Sequence, residues 1–521
     1  MSVEAAADLV HRLDQLNEVG VALSRERDIN RLLEDILVAA KTITRADGGT
    51  LYRLTDDGRA LRFEIVRTDS LKFALGGTSG NAIDFPDLPL HTADGQPNDH
   101  LVAVCAVTRG ATINIADAYT EAGFDFSGTR EFDRRNNYRS RSFLTVPMRN
   151  HEGEIIGVLQ LLNAIDPHSG QVTSFSAADQ RLAESLASQA AIALTNRRLI
   201  DQLEELFEAF IRLINVAIDE KSPYTAGHCQ RVPVLTMLLA DAADATTDGP
   251  LAGFHLSAKE RYALKIAALL HDCGKVTTPV HVVDKATKLQ ALFDRIDLID
   301  TRFEVIRRDA EIAALRRGRP AAEPALLAAI DADRQFLRHC NRGSEAMSPD
   351  DQERVRAIAR HYRWRGPQGE EADFLSADEI ENLTIRAGTL TAAEREIINH
   401  HIVATIKMLE QLPWPKHLTQ VPEYAGGHHE RMDGKGYPKG LTGEQMSVPA
   451  RIVAIADIYE ALTASDRPYK DAMSVDKALA IMEKFAGSGH IDPQLFEVFV
   501  RQRVYESYGR KGGTSGRLDA A

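Results

Sequence analysis

The sequence has few of the features that mark secreted, membrane-bound or nucleic-acid-binding proteins. Its 521 residues include only four cysteines (Cys105, Cys229, Cys273 and Cys340) and no CxxC pair, so we expect structural thiols in a reducing compartment rather than disulfides or a zinc knuckle. No stretch approaches 18 apolar residues, which argues against a membrane-spanning helix. A net charge of −13 argues against a broad basic surface for polymeric DNA or RNA.

The first residues also lack the marks of an export signal. MSVEAAADLVHRLDQL is typical of an amphipathic acidic helix and has neither the basic flank nor the apolar centre of a signal peptide. We therefore expect a cytoplasmic protein with no membrane partner. The length predicts several cores, at roughly 150 residues per domain.

Residues 1–175 predict a first domain that mixes helices and strands. A helical segment, INRLLEDILVAAKTI, precedes a Gly-Gly turn and strand-like runs such as GTLYRLT, SFLTVPM and IIGVLQLLN. Ser176 and Asp179 then form a capping-box signal ahead of a long helix over 176–220. We interpret this helix as a linker.

The linker carries a narrow apolar seam. Its members recur at steps of 4, 3, 4 and 3 residues, the spacing of a coiled coil, and are Leu199, Leu203, Leu206, Phe210 and Leu213. The seam predicts a parallel homodimer. A single helix packed on its own domain stays open as the alternative, because two heptads are a short sample.

Residues 221–508 predict a second, all-helical domain. Capping boxes at Ser257–Glu260 and Thr391–Glu394 start two of its helices. Residues from about 290 to 388 form a charged, helical insertion with a loop at RWRGPQGEEAD. The Gly-rich residues 509–521 predict a flexible tail.

Histidines cluster in the second domain together with acidic residues. Of 17 histidines, five are candidates for a site: His228 in TAGHCQRV, His271 in HDCGK, His401 in NHHIVATI, and His428 and His429 in GGHHERMDGKGYP. Imidazole and carboxylate ligands together suit Fe, Mn or Zn better than Mg. His401 follows Ile397 and Ile398 by one helical turn, which predicts that it faces the core. Asp457 interrupts the apolar run ARIVAIADIYEALT, where a buried carboxylate needs a compensating charge.

These motifs resemble the HD-GYP subgroup of the HD phosphohydrolase superfamily. HDCGK matches its HD-x-GK signature, HHERMDGKGYPKGL matches HHE-x-x-DG-x-GYP, and RIVAIADIYEALTASDRPYK matches the segment that follows. The resemblance covers about 222–500, and residues 290–388 are an insertion that the minimal domain lacks. It implies an all-α domain that hydrolyses the cyclic dinucleotide c-di-GMP.

The resemblance also implies a ligand set for two metal ions, Fe or Mn before others. Asp272 bridges the two ions, and the remaining ligands are His228, His271 and Asp457 for one ion and His401, His428 and His429 for the other. Members with three ions carry a further glutamate one turn before the first histidine, where this chain has Tyr224. Two ions sharing a carboxylate can activate a water and neutralise phosphoryl charge.

Further residues are assigned to substrate through the same resemblance. Lys275 is expected at the scissile phosphate and counts with Asp272 as catalytic, and Arg467 and Lys470 in DRPYK are expected to bind substrate phosphate. Ordinary surface ion pairs are the alternative for these side chains. The residues Gly436, Tyr437 and Pro438 are expected to shape a loop that faces a protein partner rather than to act in catalysis.

The first domain resembles a GAF sensor, an α/β fold in which helices flank an antiparallel sheet. RADGGTLYRL, RSRSFLTVPMRNHEGEIIGVLQLLNA and FSAADQRLAESLASQAAIALTN follow the order of that family. Asn163, Phe175 and Asp179 partly match the residue set of cyclic-nucleotide-binding members, but Ala164 breaks it. We expect a structural role for these three residues and an unidentified small-molecule ligand.

Together these patterns predict a sensor-controlled enzyme that opens c-di-GMP to linear pGpG, with a second cleavage to GMP left open. A non-catalytic c-di-GMP receptor is one alternative. The other is an HD hydrolase for a different nucleotide, against which the GYP segment argues.

Overall fold

The computed structural model describes residues 3–23, 26, 28–221, 227–343, 346–366, 368–464 and 473–512. The chain divides into two compact units, Met1–Phe207 and Glu208–Ala521. Within the described ranges, no helix combines the length and the apolar character needed to cross a membrane. All four cysteines are buried and free, as expected.

The first unit is an eight-stranded antiparallel sheet with helices packed against it. Its helices are α1 (Val3–Leu23), α2 (Ile29–Thr44), α3 (Val102–Arg109), α4 (Ser127–Asn136) and the start of α5 (Ala177–Lys221). Its strands are β1 (Ala46–Leu54), β2 (Ala60–Thr68), β3 (Phe73–Gly76), β4 (Leu88–Pro89), β5 (Ile113–Ile115), β6 (Phe143–Arg149), β7 (Ile155–Ile165) and β8 (Val172–Thr173).

The sheet order is β3-β2-β1-β7-β6-β5, with β4 paired to β2 and β8 to β7. Every pairing is antiparallel, as predicted for this domain. The main core lies between this sheet and the apolar faces of α1, α2 and α5.

The expected Gly-Gly turn is wrong, because both glycines lie inside β1. The helix before the strand ends at Thr44 and is capped by Arg45, whose φ of 56° puts it in the left-handed region. A Cβ at Gly49 would lie 2.8 Å from Leu37 Cδ1 and 2.9 Å from Gln160 O. Glycine is therefore required by the close approach of α2 to the strand, not by a turn.

The three residues that partly match a nucleotide-binding set have structural partners. Asn163 accepts from Arg141 N at 2.7 Å and donates to Arg139 O at 2.8 Å. Phe175 is buried in the main core. Asp179 completes the cap of α5 through Ser176 and forms an ion pair with Arg12. These contacts agree with the structural role expected for them.

The seam on α5 is exposed along its length. Its exposed fractions lie between 46% and 64%, at Leu199, Leu203, Leu206, Phe210 and Leu213. The helix begins at Ala177 and ends at Lys221, close to the linker limits expected from the sequence. The parallel dimer stays a prediction.

The second unit is almost wholly helical. The helices outside the insertion are α6 (His228–Asp244), α7 (Ala258–Leu270), the short α8 (Val280–Val283), α13 (Ala392–Glu410), α14 (Val421–Gly426), α15 (Val448–Thr463), α16 (Val475–Gly487), α17 (Pro493–Arg501) and α18 (Val504–Gly512). Both predicted capping boxes are present, at the starts of α7 and α13. Because α18 ends at Gly512, it extends into the expected tail, whose remaining residues 513–521 lie outside the described ranges.

The segment predicted as an insertion, about 290–388, has its own core. Its helices are α9 (Ile296–Arg316), α10 (Pro324–Asn341), α11 (Pro349–His361) and α12 (Ala377–Leu383). Buried residues of these helices, with Phe374 and Tyr362 between them, form one apolar cluster. The loop expected at RWRGPQGEEAD is a β-hairpin, in which β9 (Arg363–Arg365) pairs with β10 (Glu371–Asp373).

Two buried lysines hold the segment predicted as an insertion against the rest of the second unit. Lys285 Nζ donates to the Glu394 carboxylate at 2.7 and 2.8 Å and to Asn382 Oδ1 at 2.8 Å. Lys288 Nζ donates to the carbonyl oxygens of Ile385 at 2.7 Å and Leu383 at 3.2 Å. The end of the insertion is thereby fixed at the start of α13.

Candidate metal centre

Several helices bring the seven candidate metal ligands together. His228 starts α6, His271 follows α7, and Asp272 precedes a short 3-10 helix (Cys273–Thr277). His401 lies in α13, and the remaining three are His428 and His429 after α14 and Asp457 in α15. Five of the seven are buried, and His429 and Asp457 are half-buried.

Asp272 lies between two groups of histidines. Its Oδ2 is 3.2 Å from His271 Nε2 and 3.4 Å from His228 Nε2. Its Oδ1 is 3.3 Å from His401 Nε2 and 3.9 Å from His428 Nε2. Each carboxylate oxygen therefore faces a different set of imidazoles, which is the placement that a bridging ligand requires.

The other two candidates extend these groups. Asp457 Oδ1 lies 3.1 Å from His228 Nε2 and 3.8 Å from His271 Nε2. His429 Nε2 lies 3.2 Å from His401 Nε2. Ligand atoms that could share one ion occur in two sets, one with His228, His271 and Asp272 and one with His401, His428 and His429.

The ring nitrogens facing away from the centre are fixed by the backbone. Nδ1 of His271 lies 2.8 Å from Ala268 O, and Nδ1 of His428 lies 2.7 Å from Ala425 O. His401 Nδ1 contacts Ile398 O in the same way. A carbonyl can only accept, so Nδ1 carries the proton and the Nε2 lone pair is free for a metal.

The inward atoms lack partners, which is the observation that fits a metal. Among the described residues, buried atoms without a hydrogen bond include Nε2 of His228, His271 and His428 and Oδ1 of Asp272. Buried polar atoms are rarely left unpaired in proteins. Imidazole and carboxylate donors facing one another around a cation would satisfy all four.

Glu460 is a functional residue that the sequence analysis missed. Its buried carboxylate accepts a hydrogen bond from Nδ1 of His228 and another from Arg231 Nε at 2.6 Å. It follows Asp457 by three residues on α15, so both face the same side of that helix. The three-residue spacing from Asp457 was the sequence feature that could have indicated Glu460. Carboxylates in this outer position orient a ligating histidine.

Charge around the centre favours an ionised Asp272. Burial alone would raise its pKa, but Lys275 and the neighbouring histidines hold it well below the usual range. Burial lowers the pKa of His428 to about 4, and burial together with His428 lowers the pKa of His429 well below its usual value. Neutral His428 and His429 beside an anionic carboxylate are in the protonation states that metal binding requires. At His228 burial lowers the pKa, but Asp272, Asp457 and Glu460 together raise it well above its usual value, so metal binding at this ring would release a proton.

Tight packing holds the HDCGK segment against α13. Thr405 Oγ1 accepts a hydrogen bond from Gly274 N at 2.9 Å. A Cβ at Gly274 would lie 2.0 Å from His401 O, so no larger residue fits. Glycine at this position lets the segment with Asp272 approach the helix with His401.

The loop after His429 is held by a buried glutamate. The Glu430 carboxylate accepts from Lys439 N at 2.7 Å and Leu441 N at 2.8 Å. A Cβ at Gly436 would lie 2.4 Å from Glu430 Cα, so this glycine shapes the loop as expected. The ring of Tyr437 stacks on His429 with centroids 4.8 Å apart, and the expectation that this loop faces a protein partner stays a prediction.

Of the residues assigned to substrate, the structure describes Lys275. Lys275 Nζ forms an ion pair with Asp272 and is half-buried at the edge of the centre. Arg467, Lys470 and Tyr224 lie outside the described residues. Their expected roles therefore stay predictions.

Family profiles match most of the chain in three ranges. One described as a GAF domain matches residues 28–194, and two described as HD domains match 225–359 and 376–495. Both HD matches fall in the second compact unit. His228, His271 and Asp272 lie in the first of them, and the other four candidate ligands lie in the second.

Curated relatives match the chain over short stretches. A 3'3'-cGAMP-specific phosphodiesterase of Vibrio cholerae is 48% identical over 88 residues, 16% of this chain and 20% of the relative. A second such enzyme from the same organism is 43% identical over 111 residues, 21% of this chain and 23% of the relative. A cyclic di-GMP phosphodiesterase of Pseudomonas aeruginosa is 40% identical over 116 residues, 22% of this chain and 27% of the relative.

The chain thus spans only 20% to 27% of the length of these relatives. The predictions of a GAF domain and an HD domain are confirmed, and HD domains form a family of metal-dependent phosphohydrolases. The chain therefore has a GAF domain followed by two HD-domain matches.

Proposed function

We propose that this chain is a metal-dependent phosphodiesterase that hydrolyses c-di-GMP to linear pGpG, with the second cleavage to GMP left open. The observation that carries the proposal is Asp272, whose two oxygens face separate sets of histidine nitrogens, most of them unpartnered. The names of the relatives, which are cyclic di-GMP or 3'3'-cGAMP phosphodiesterases, support a cyclic dinucleotide as substrate. A cytoplasmic location stays a prediction from the sequence.

We assign two divalent ions, Fe or Mn before others, to the seven ligands. His228, His271 and Asp457 would hold one, His401, His428 and His429 the other, and Asp272 both. Such ions supply an activated water and neutralise charge on the phosphodiester. Imidazole-rich ligand sets favour these metals over Mg.

Side chains of the protein would contact the phosphate and orient the metal ligands. Lys275, next to Asp272, can donate to a non-bridging phosphoryl oxygen and offset the charge that develops there. Glu460 keeps His228 oriented, and the carbonyl oxygens behind His271 and His428 keep those rings oriented. Arg467 and Lys470 complete the proposed phosphate contacts.

Control by the first domain is part of the proposal. A small molecule bound to the GAF domain would change the activity through α5, which leads from that domain to within a few residues of His228. The exposed seam on α5 supports a homodimer through parallel linker helices. A rotation or shift of these helices is a two-state element that could move His228.

The alternative function is a c-di-GMP receptor without catalysis. The complete ligand set argues for catalysis, since none of the seven residues has been replaced. Product analysis separates the two: anaerobically purified, Mn-loaded protein is incubated with c-di-GMP, 3'3'-cGAMP and a deoxynucleoside triphosphate. Conversion of c-di-GMP to pGpG supports the proposal, binding without conversion indicates a receptor, and conversion of the triphosphate alone indicates another HD hydrolase.

A further inference from the structure

A cavity of about 520 Å³ lies beside the candidate metal centre and has no assigned role. One wall is the turn Gly388–Leu390 at the end of the insertion, and another is the face of α13 that presents Arg395, Ile398 and Asn399. Tyr437 forms part of the remaining wall. The volume falls in the range of small-molecule sites.

Two of these walls belong to segments that carry candidate metal ligands. Ile398 lies one helical turn before His401 on α13, and its carbonyl oxygen contacts His401 Nδ1. Tyr437 stacks on His429, with the two rings inclined by only 17°. Tyr437 therefore contacts a candidate metal ligand and also lines this cavity.

The cavity offers unused hydrogen-bonding groups. Within the part of the chain that the structure describes, the side chains of Arg395 and Asn399 have no hydrogen bond or ion pair. Their neighbour Glu394, by contrast, is held by Lys285 and by the helix cap. The guanidinium of Arg395 is exposed and free to donate to a ligand.

We propose that this cavity binds a guanine base of the cyclic dinucleotide and that Arg395 determines the specificity for guanine. The inference rests on the proposed function, because it places the base of the same substrate. Arg395 would donate to O6 and N7 of the base, and the amide of Asn399 would donate to and accept from its edge. Tyr437 would supply an aromatic contact to the base.

The choice of guanine follows from the donors available. A guanidinium has only donors, and guanine offers it two acceptors side by side, O6 and N7. Adenine offers N7 but has a donor at N6, so it would form one hydrogen bond and oppose another. The subsite should therefore favour a guanine-containing ligand over one with two adenines.

The insertion gives this cavity a fixed wall. Thr389 Oγ1 donates to the carbonyl oxygen of Lys285 at 2.8 Å. Lys285 in turn binds Glu394, the residue next to Arg395, at 2.7 Å. A single buried lysine thus links the turn on one side of the cavity to the start of the helix on the other.

The test uses the full chain, the variant Arg395→Ala and the matched control Lys407→Ala. Lys407 is an exposed cation on the same helix that does not line the cavity. Kinetics are measured with c-di-GMP, with c-di-AMP and with bis(4-nitrophenyl) phosphate, a diester without bases. Binding of c-di-GMP and c-di-AMP to chelator-treated protein is measured by calorimetry as a readout independent of turnover.

We expect Arg395→Ala to raise both KM and Kd for c-di-GMP by roughly tenfold or more, the loss typical of one bidentate arginine–guanine contact. The loss in Arg395→Ala should be smaller with bis(4-nitrophenyl) phosphate than with c-di-GMP, and all values for Lys407→Ala should stay unchanged. An unchanged Kd for c-di-GMP in Arg395→Ala, or an equal loss for c-di-AMP, overturns the inference. If the wild type binds c-di-GMP through Arg395 but hydrolyses no cyclic dinucleotide, the subsite stands and the proposed function fails.

Discussion

Glu460 accepts a hydrogen bond from Nδ1 of His228 although 232 residues separate them in the chain. The same carboxylate binds Arg231, one turn further along α6, at 2.6 Å. Glu460 therefore fixes α6 against α15 and fixes the ring of His228 with its Nε2 toward Asp272 and Asp457. A side chain that binds no ion itself should thereby control metal binding.

We predict that Glu460→Ala lowers metal affinity by roughly 10- to 100-fold, the usual cost of removing an outer partner of a ligating histidine. Turnover at saturating metal should recover in large part, because the seven ligands are intact. Metal titrations followed by activity and by bound-metal analysis measure both effects. Glu483→Ala, which removes an exposed carboxylate, is the control. Equal metal affinity in the two variants would show that Glu460 only joins the helices.

Lys275→Ala should leave the metal content unchanged and slow turnover. One donor to developing phosphoryl charge is typically worth about 2.7–4 kcal/mol, or roughly 10²- to 10³-fold in kcat. Metal analysis and kinetics on one preparation separate this role from a structural one. Loss of metal from the variant would instead assign Lys275 to the support of Asp272.

The double variant Leu203→Lys, Leu206→Lys should be monomeric and altered in activity. Both side chains are exposed, by 64% and 52%, so the lysines fit the isolated helix and introduce like charges only across a paired seam. Sedimentation velocity measures the assembly, and c-di-GMP hydrolysis measures the coupling. A variant that stays dimeric with unchanged activity would rule out α5 as the coupling element.

Lys288→Met should destabilise the second unit. Lys288 is fully buried, burial lowers its pKa, and its ammonium donates to two backbone carbonyls. Two unpaired carbonyls should reduce the free energy of unfolding by about 2 kcal/mol. Urea unfolding followed by tryptophan fluorescence reports on this unit, because Trp364 and Trp414 both lie in it.

Lys259→Met is the control for that measurement, since Lys259 is exposed on α7. If both variants unfold at the same urea concentration, the buried ammonium of Lys288 contributes nothing to the stability of the second unit.

Positions in the candidate site could be predicted from the sequence where residue type and helical spacing gave the same indication. His401 is buried and the adjacent His400 is exposed, as the period of α13 predicts. One premise was nonetheless wrong, because Ile397 is 43% exposed and does not mark the core face. Helical spacing places a residue relative to its neighbours, but the packed face depends on which other helix covers it.

Features that depend on distant contacts could not be predicted. Gly49 looks like a turn residue until Leu37 is seen packed on it, and no sequence pattern predicts that Tyr437 stacks on His429. Glu460 carries no motif of its own, and its role requires knowing that α6 and α15 lie side by side. In the β-hairpin, Arg363–Arg365 pairs with Glu371–Asp373. Strands of three residues are too short to show a sequence pattern that predicts this pairing.

The most direct test compares anaerobically purified wild-type protein with Asp272→Ala, measuring bound metal and the products formed from c-di-GMP. Asp272 is the candidate ligand that the two proposed metal positions share. The wild type should hold two divalent ions per chain and release pGpG, whereas Asp272→Ala should lose metal, release no product and keep its helical content. An Asp272→Ala protein with full metal content and wild-type turnover would contradict the proposed centre.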